Sequence, residues 1–113
     1  MLIVTTDSVP GSEIGQTLGL ARGSAARSRN IGADFFASIK NVVGGEVSQY
    51  TKLMAETREQ ALERLAMDAQ RMGADAVVAV RFDSSSVAQG ANEITAYGTA
   101  VKLAQKGSGP WSG

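Results

Sequence analysis

Three clusters in this chain have residue types and spacing that could do chemistry. The first is Arg27-Ser28-Arg29-Asn30, set just ahead of a helix expected to start near Ile31. Free N–H groups at a helix start, with guanidinium forks beside them, hold phosphate or carboxylate, so Arg27, Arg29 and Asn30 form a candidate site for a small anionic ligand. The rival is an ion pair between these arginines and an acid such as Glu46 across a subunit boundary. The second cluster is a scattered set of oxygen donors, Asp34 and Glu46 foremost, with Asp83, Glu93, Asn41 and Tyr50, of the kind that suits a hard cation such as Mg²⁺ or Ca²⁺. No D-x-D-x-D loop or paired-carboxylate motif joins them, which leaves capping or surface carboxylates as the simpler reading. The third, Gly44-Gly45-Glu46, lacks the Lys-Ser/Thr that completes a phosphate loop, and a hinge between two helices accounts for it.

What is missing is as informative. The chain has no Cys and no His, which removes thiol nucleophiles, zinc–thiolate sites, the usual general base and the ligands that soft metals prefer. A serine nucleophile would then need a lysine base, and Lys40, Lys52, Lys102 and Lys106 show no S-x-x-K pattern. The expectation is a protein that is not an enzyme and has no organic cofactor, with a bound metal ion left open.

The elements that must position these residues are legible in part. Leu2 to Thr5 reads as a short strand ended by the turn Asp7-Ser8-Val9-Pro10-Gly11. A second strand from Glu13 to about Arg22 places Ile14, Gln16, Leu18 and Leu20 on one face and Gly15, Thr17, Gly19 and Ala21 on the other. Two glycines on one face imply close approach by another backbone, from this chain or a neighbouring subunit. A G-x-x-x-G helix seam through Gly15, Gly19 and Gly23 is the weaker alternative, interrupted by Gln16 and Arg22. Ile31, Phe35, Ile39 and Val42 recur at helical spacing and predict a short helix over 31–43.

A longer helix runs from Ser48 or Thr51 to Met72, its stripe built from Met54, Leu62, Leu65, Ala69 and Met72, with Gly73 as its stop. Its methionines read as core filling, and Arg64 and Asp68, four apart, as an ion pair on the outer surface. Ala76–Val87 and Asn92–Leu103 form a hairpin, the first grouping Val78, Val80 and Phe82 on one face. The second separates a small-residue face (Ile94, Ala96, Gly98, Ala100) from a bulkier one (Thr95, Tyr97, Thr99, Val101, Leu103), and register alone decides which meets the helix. The domain is expected over 1–103, followed by a flexible, linker-like tail over 104–113 that contains Trp111.

Composition sets bounds on partners. Leu, Ile, Val and Phe make up 25 of 113 residues, close to the roughly 20 % below which a strongly charged chain stays disordered. Eleven basic residues balance eleven acidic ones, so self-repulsion does not oppose collapse, and a phosphate-dominated partner such as nucleic acid is not expected. The core is lean, with 17 alanines each burying little area, and a lean chain gains by burying surface against copies of itself. The longest apolar run, Ala76 to Val80, is far short of the roughly 18 residues that read as a membrane span, and no secretory signal is apparent, which points to the cytoplasm.

Four segments, PGSEIGQTLGLARG, ARSRNIGADFFASIKNVVGGEVSQYT, ALERLAMDAQRMGADAVVAVRFD and GANEITAYGTAV, in that order, resemble the YbjQ-like family of small bacterial proteins, which carries a heavy-metal-binding label. The likeness covers about residues 3 to 103. It implies an α+β subunit, a two-layer sandwich of an antiparallel sheet with helices on one face, similar to the dodecin subunit and assembled into a homopentameric ring.

Overall fold

The computed structural model of the chain describes residues 1–28, 45–88 and 91–105. The helix predicted over 31–43, together with Arg29, Asn30, Asp34 and Trp111, lies outside the described residues. The described elements are β1 (Leu2–Ile3), β2 (Ser12–Ser28), α1 (Gly45–Arg71), β3 (Ala76–Ala88) and β4 (Ala91–Gln105). They form a four-stranded sheet in the order β1-β3-β4-β2.

The sheet is mixed, which corrects the expectation of an antiparallel one. β1 pairs parallel with β3, Leu2 opposite Ala76, while β3–β4 and β4–β2 are antiparallel. The cause is the crossover: α1 carries the chain back across the sheet, so β3 starts level with β1 and runs the same way. Beyond β1 the N-terminal segment stays on β3 through backbone bonds from Ala79 to Thr6 and from Val80 to Val4. Arg81 reinforces it by donating to the Thr5 carbonyl at 2.9 Å.

α1 is the only helix among the described residues. Gly45 is its first residue, so the expected break at Gly44-Gly45 falls at its boundary. It ends in a Schellman motif: Gly73, at φ +80°, donates to Gln70, and Ala74 donates to Ala69. Met54, Leu62 and Met72 pack against the core formed with Ala61, Leu65 and Ala69, as the stripe predicts. Met67 departs from the core-filling expectation and is 54 % exposed.

Register decides the question of faces. The small-residue row Ile94, Ala96 and Ala100 of β4, with Ala21 and Ala25 of β2, is the side that meets α1. A Cβ at Gly23 would overlap backbone atoms of Ala61, Arg64 and Leu65, so the helix backbone lies directly on that residue. The close approach is therefore made within the chain and at Gly23. A Cβ at Gly15 would make ordinary contacts with Ala104 and the Lys102 carbonyl at 3.5–3.7 Å, and one at Gly19 would meet the Met72 Cε at 3.5 Å.

Irregularities explain why strict alternation fails. Register shifts between Ile14 and Gln16 and between Thr17 and Gly19 move Leu18 toward the α1 side and Leu20 to the opposite face. A further shift between Val78 and Arg81, with Ala79 at φ 55°, separates Val78 from Val80. Val80 joins the α1-side core, whereas Val78 packs with Ala76 and Val101 under Val4, Val9 and Leu103 on the other face. Ala104 and Gln105, expected in the tail, are the last residues of β4, where they pair with Glu13 and Ser12.

Seven of the thirteen buried apolar side chains among the described residues are alanine, the lean core that the composition implies.

Candidate functional site

Arg27 lies near the end of β2, opposite Asn92 of β4, on the face that meets the helix. Its Nη1 donates to the Ala26 carbonyl at 3.0 Å. A groove of about 410 Å³ places it with Lys52, Glu56, Glu59, Gln60 and Glu63 of α1. Three carboxylates thus face two cations, and the described surroundings of Arg27 are already supplied with negative charge, which works against a small anion. Gln60 Oε1 is buried there without a hydrogen-bond partner.

The oxygen donors do not converge. Glu46 falls in the first turn of α1, while Asp83 and Glu93 occupy the sheet face away from the helix, opposite Thr95 and Ser85 respectively. Among the described residues no group of three or more metal-ligating side chains is gathered. Thr57, buried in α1, spends its hydroxyl on the Leu53 carbonyl at 2.8 Å.

Two features escape a reading by residue type. The first is the face opposite α1, where neighbouring strands align Leu20 with Thr99 and Val78, Arg22 with Tyr97 and Arg81, and Ser24 with Thr95 and Asp83. Ser24 and Thr95 share a hydroxyl hydrogen bond of 2.8 Å. Leu20 is 60 % exposed and Tyr97 38 %, with Ile14 exposed further along β2. The alternation of β4 contains this row, but the shift at Gly19 that brings Leu20 into it has no sequence signal of its own.

The second feature corrects the expected Arg64–Asp68 pair. Asp68 pairs instead with Arg71, Nη2 to Oδ1 at 3.3 Å, and its Oδ2 accepts the backbone N–H of Arg22 at 3.0 Å. Arg64 donates to the Ser24 carbonyl. The Arg22 N–H holds the Asp68 carboxyl below the usual carboxylate range; burial opposes it, and the Arg71 guanidinium adds to the lowering.

One helix on a four-stranded mixed sheet, with no assembled catalytic or metal-ligand set among the described residues, defines a small α+β domain. The chain belongs to the YbjQ family, whose model, described as "putative heavy-metal-binding", matches residues 1–104. Among its relatives, a UPF0145 protein of Halobacterium salinarum is 53 % identical over 104 residues, covering 92 % of this chain and all of the relative. A UPF0145 protein of Methanococcus maripaludis is 55 % identical over 103 residues, 91 % of this chain and 92 % of the relative. One from Photobacterium profundum is 50 % identical over 103 residues, 91 % of this chain and all of the relative. The family is thus archaeal as well as bacterial. A solved structure of a DUF74-family protein of unknown function from Pediococcus pentosaceus matches with a TM-score of 0.62 at 13 % identity, covering 92 % of this chain and 98 % of that one. No helix among the described residues is long and apolar enough to cross a membrane.

Proposed function

We propose that this chain is the subunit of a homopentameric ring that serves as a non-catalytic assembly, with the sheet face opposite α1 buried between subunits. The observation that carries this reading is the row on that face: Leu20 and Tyr97 are exposed beside Arg22, Arg81, Ser24 and Thr95, while β2 and β4 give the covered face mostly alanine and glycine. Aromatic and arginine side chains on a β surface suit a protein interface, and a chain with so lean a core gains stability from one. The ring of five subunits is the size implied by the family resemblance.

Small-ligand binding is the second ingredient of this reading and has less to rest on. The acidic groove around Arg27 disfavours a phosphate or carboxylate, and the dispersed donors disfavour a tightly held cation. The heavy-metal label of the family also lacks thiolate or imidazole here.

Native mass spectrometry tests the assembly. The unmodified protein is expected as a pentamer at micromolar concentration, and a single subunit mass would overturn the proposal. Leu20→Asp combined with Tyr97→Asp is expected to reduce the pentamer to smaller species while helical circular dichroism is retained. An intact ring in this variant would move the interface elsewhere.

A further inference from the structure

α1 buries Ala61, Leu65 and Ala69 against the sheet and turns the opposite ridge outward. On that ridge Glu59, Glu63 and Met67 follow one another four residues apart, so they stand in line with about 6 Å between neighbours. All three are exposed, Met67 at 54 %, the methionine that the core does not use. The groove beside Glu59 and Glu63 holds more carboxylates than cations, so the ridge keeps an excess of negative charge. On the sheet face away from α1, Leu20, Arg22 and Ser24 of β2 also stand in line, two residues apart and about 6.6 Å between neighbours. Val4 and Val9 cover the Val78 and Val101 part of that face and leave Leu20 60 % exposed.

We propose that the outer ridge of α1 in a second copy of this chain covers the Leu20–Arg22–Ser24 row, with Met67 on Leu20, Glu63 against Arg22 and Tyr97, and Glu59 against the Ser24 and Thr95 hydroxyls. This rests on the assembly reading above and names the two surfaces that meet in it. Complementarity in a fixed order identifies the occupant: apolar meets apolar, carboxylate meets guanidinium and phenol, and carboxylate meets hydroxyl, at two spacings that agree to within about 1 Å per step. The acids on this face fall beside the row, Asp83 two strands over on β3 and Glu93 level with Ala26, past its end. Direction agrees as well. Within the chain Asp68 bonds to Arg22 and Arg64 to Ser24, so α1 runs opposite to β2, and Met67 on Leu20 with Glu59 on Ser24 sets the partner's helix in the same sense. Successive copies then repeat by rotation without reversal, and since the two surfaces differ, the contact is head-to-tail and makes a ring when the rotation closes. The sheet separates the partner's helix from the α1 already seated on Gly23, so the two do not collide.

Native mass spectrometry of the full chain over a dilution series tests the proposal. Glu63→Arg is expected to raise the concentration at half-assembly about tenfold or more, and Arg22→Glu added to the same chain is expected to restore it. Met67→Asp with Glu63→Arg breaks the ridge, as Leu20→Asp with Tyr97→Asp breaks the row, and each variant alone is expected to give smaller species while helical circular dichroism is retained. Mixed in equal amounts, the two variants are expected to form a dimer holding one copy of each, because one sound ridge meets one sound row and neither remaining surface can extend it. A ridge variant that keeps the mass of the unmodified protein, or a mixture without that dimer, would overturn the proposal, and the assembly reading would stand if the row variant still dissociates. A single subunit mass for the unmodified protein would overturn both.

Discussion

Toward α1 the sheet presents Ala21, Gly23, Ala25, Ala96, Gly98 and Ala100, whereas its other face carries Leu20, Arg22, Tyr97 and Arg81. In a monomeric sheet with one wet face, the larger apolar side chains line the covered side and polar ones the open side. Here the closeness of the helix governs the choice. With the backbone of α1 seated on Gly23, the covered side of β2 and β4 is mostly alanine and glycine, and Val77, Val80 and Ile94 supply its larger side chains. On the other side Val78 and Val101 are covered by Val4, Val9 and Leu103, while Leu20 and Tyr97 stay exposed.

Breaking the covered side is expected to have the largest effect. Gly23→Val would thrust its side chain into the backbone of Ala61, Arg64 and Leu65, with a cost of about 3 kcal/mol or more, read as a lowered urea midpoint or failure to fold. Gly19→Val is expected to cost less, about 1 to 3 kcal/mol. Its neighbour, the Met72 Cε, can move, and the penalty comes from a β-branched residue at φ +131°. A loss from Gly19→Val as large as that from Gly23→Val would contradict the placement of the helix contact.

A smaller effect is expected at Asp68, where the helix meets the strand edge. Its carboxyl is depressed in the folded state, so its contribution to stability is present above the unfolded pKa of about 3.9 and is lost as pH falls through the folded value. Melting temperature measured against pH is expected to show a shallower acid decline in Asp68→Asn than in the unmodified chain. Equal declines would remove Asp68 from the account. Smallest of all is the expected response of either face to soft metals. Calorimetry with Zn²⁺, Cd²⁺ and Cu⁺ is expected to show no stoichiometric event, and tight binding would mean that oxygen donors alone assemble a site.

The long helix and the hairpin were readable because each rests on a periodicity that its neighbours reinforce: the Met54–Leu65–Met72 stripe closed by Gly73, and two alternating runs joined across Gln89-Gly90. β2 was readable only to Arg22. The run Gly23-Ser24-Ala25-Ala26-Arg27-Ser28 has weak strand preference, and what extends it is pairing with β4 and, at Gly23, the helix backbone above it. The shifts at Gly15, Leu18 and Ala79 are set by partners distant in the chain, so period-two counting misassigns Leu20 and separates Val78 from Val80 in the structure but not in the sequence. The candidate site fared similarly. Arg27, Arg64 and Asp68 were visible as charges, but their roles depend on which backbone atoms β2 leaves outward. Of the proposed anion cluster only Arg27 is among the described residues, and it faces glutamates.

The pairing of Ser12 with Gln105 also sets the order of events during folding. β1 must wait for β3, and β2 for β4, so neither strand has its partner until the chain has been made past α1. Closing such distant pairs is slow compared with winding a helix. For that interval α1 has no finished sheet to lie on, and a nascent chain halted before β4 exposes both edges of β2 at once.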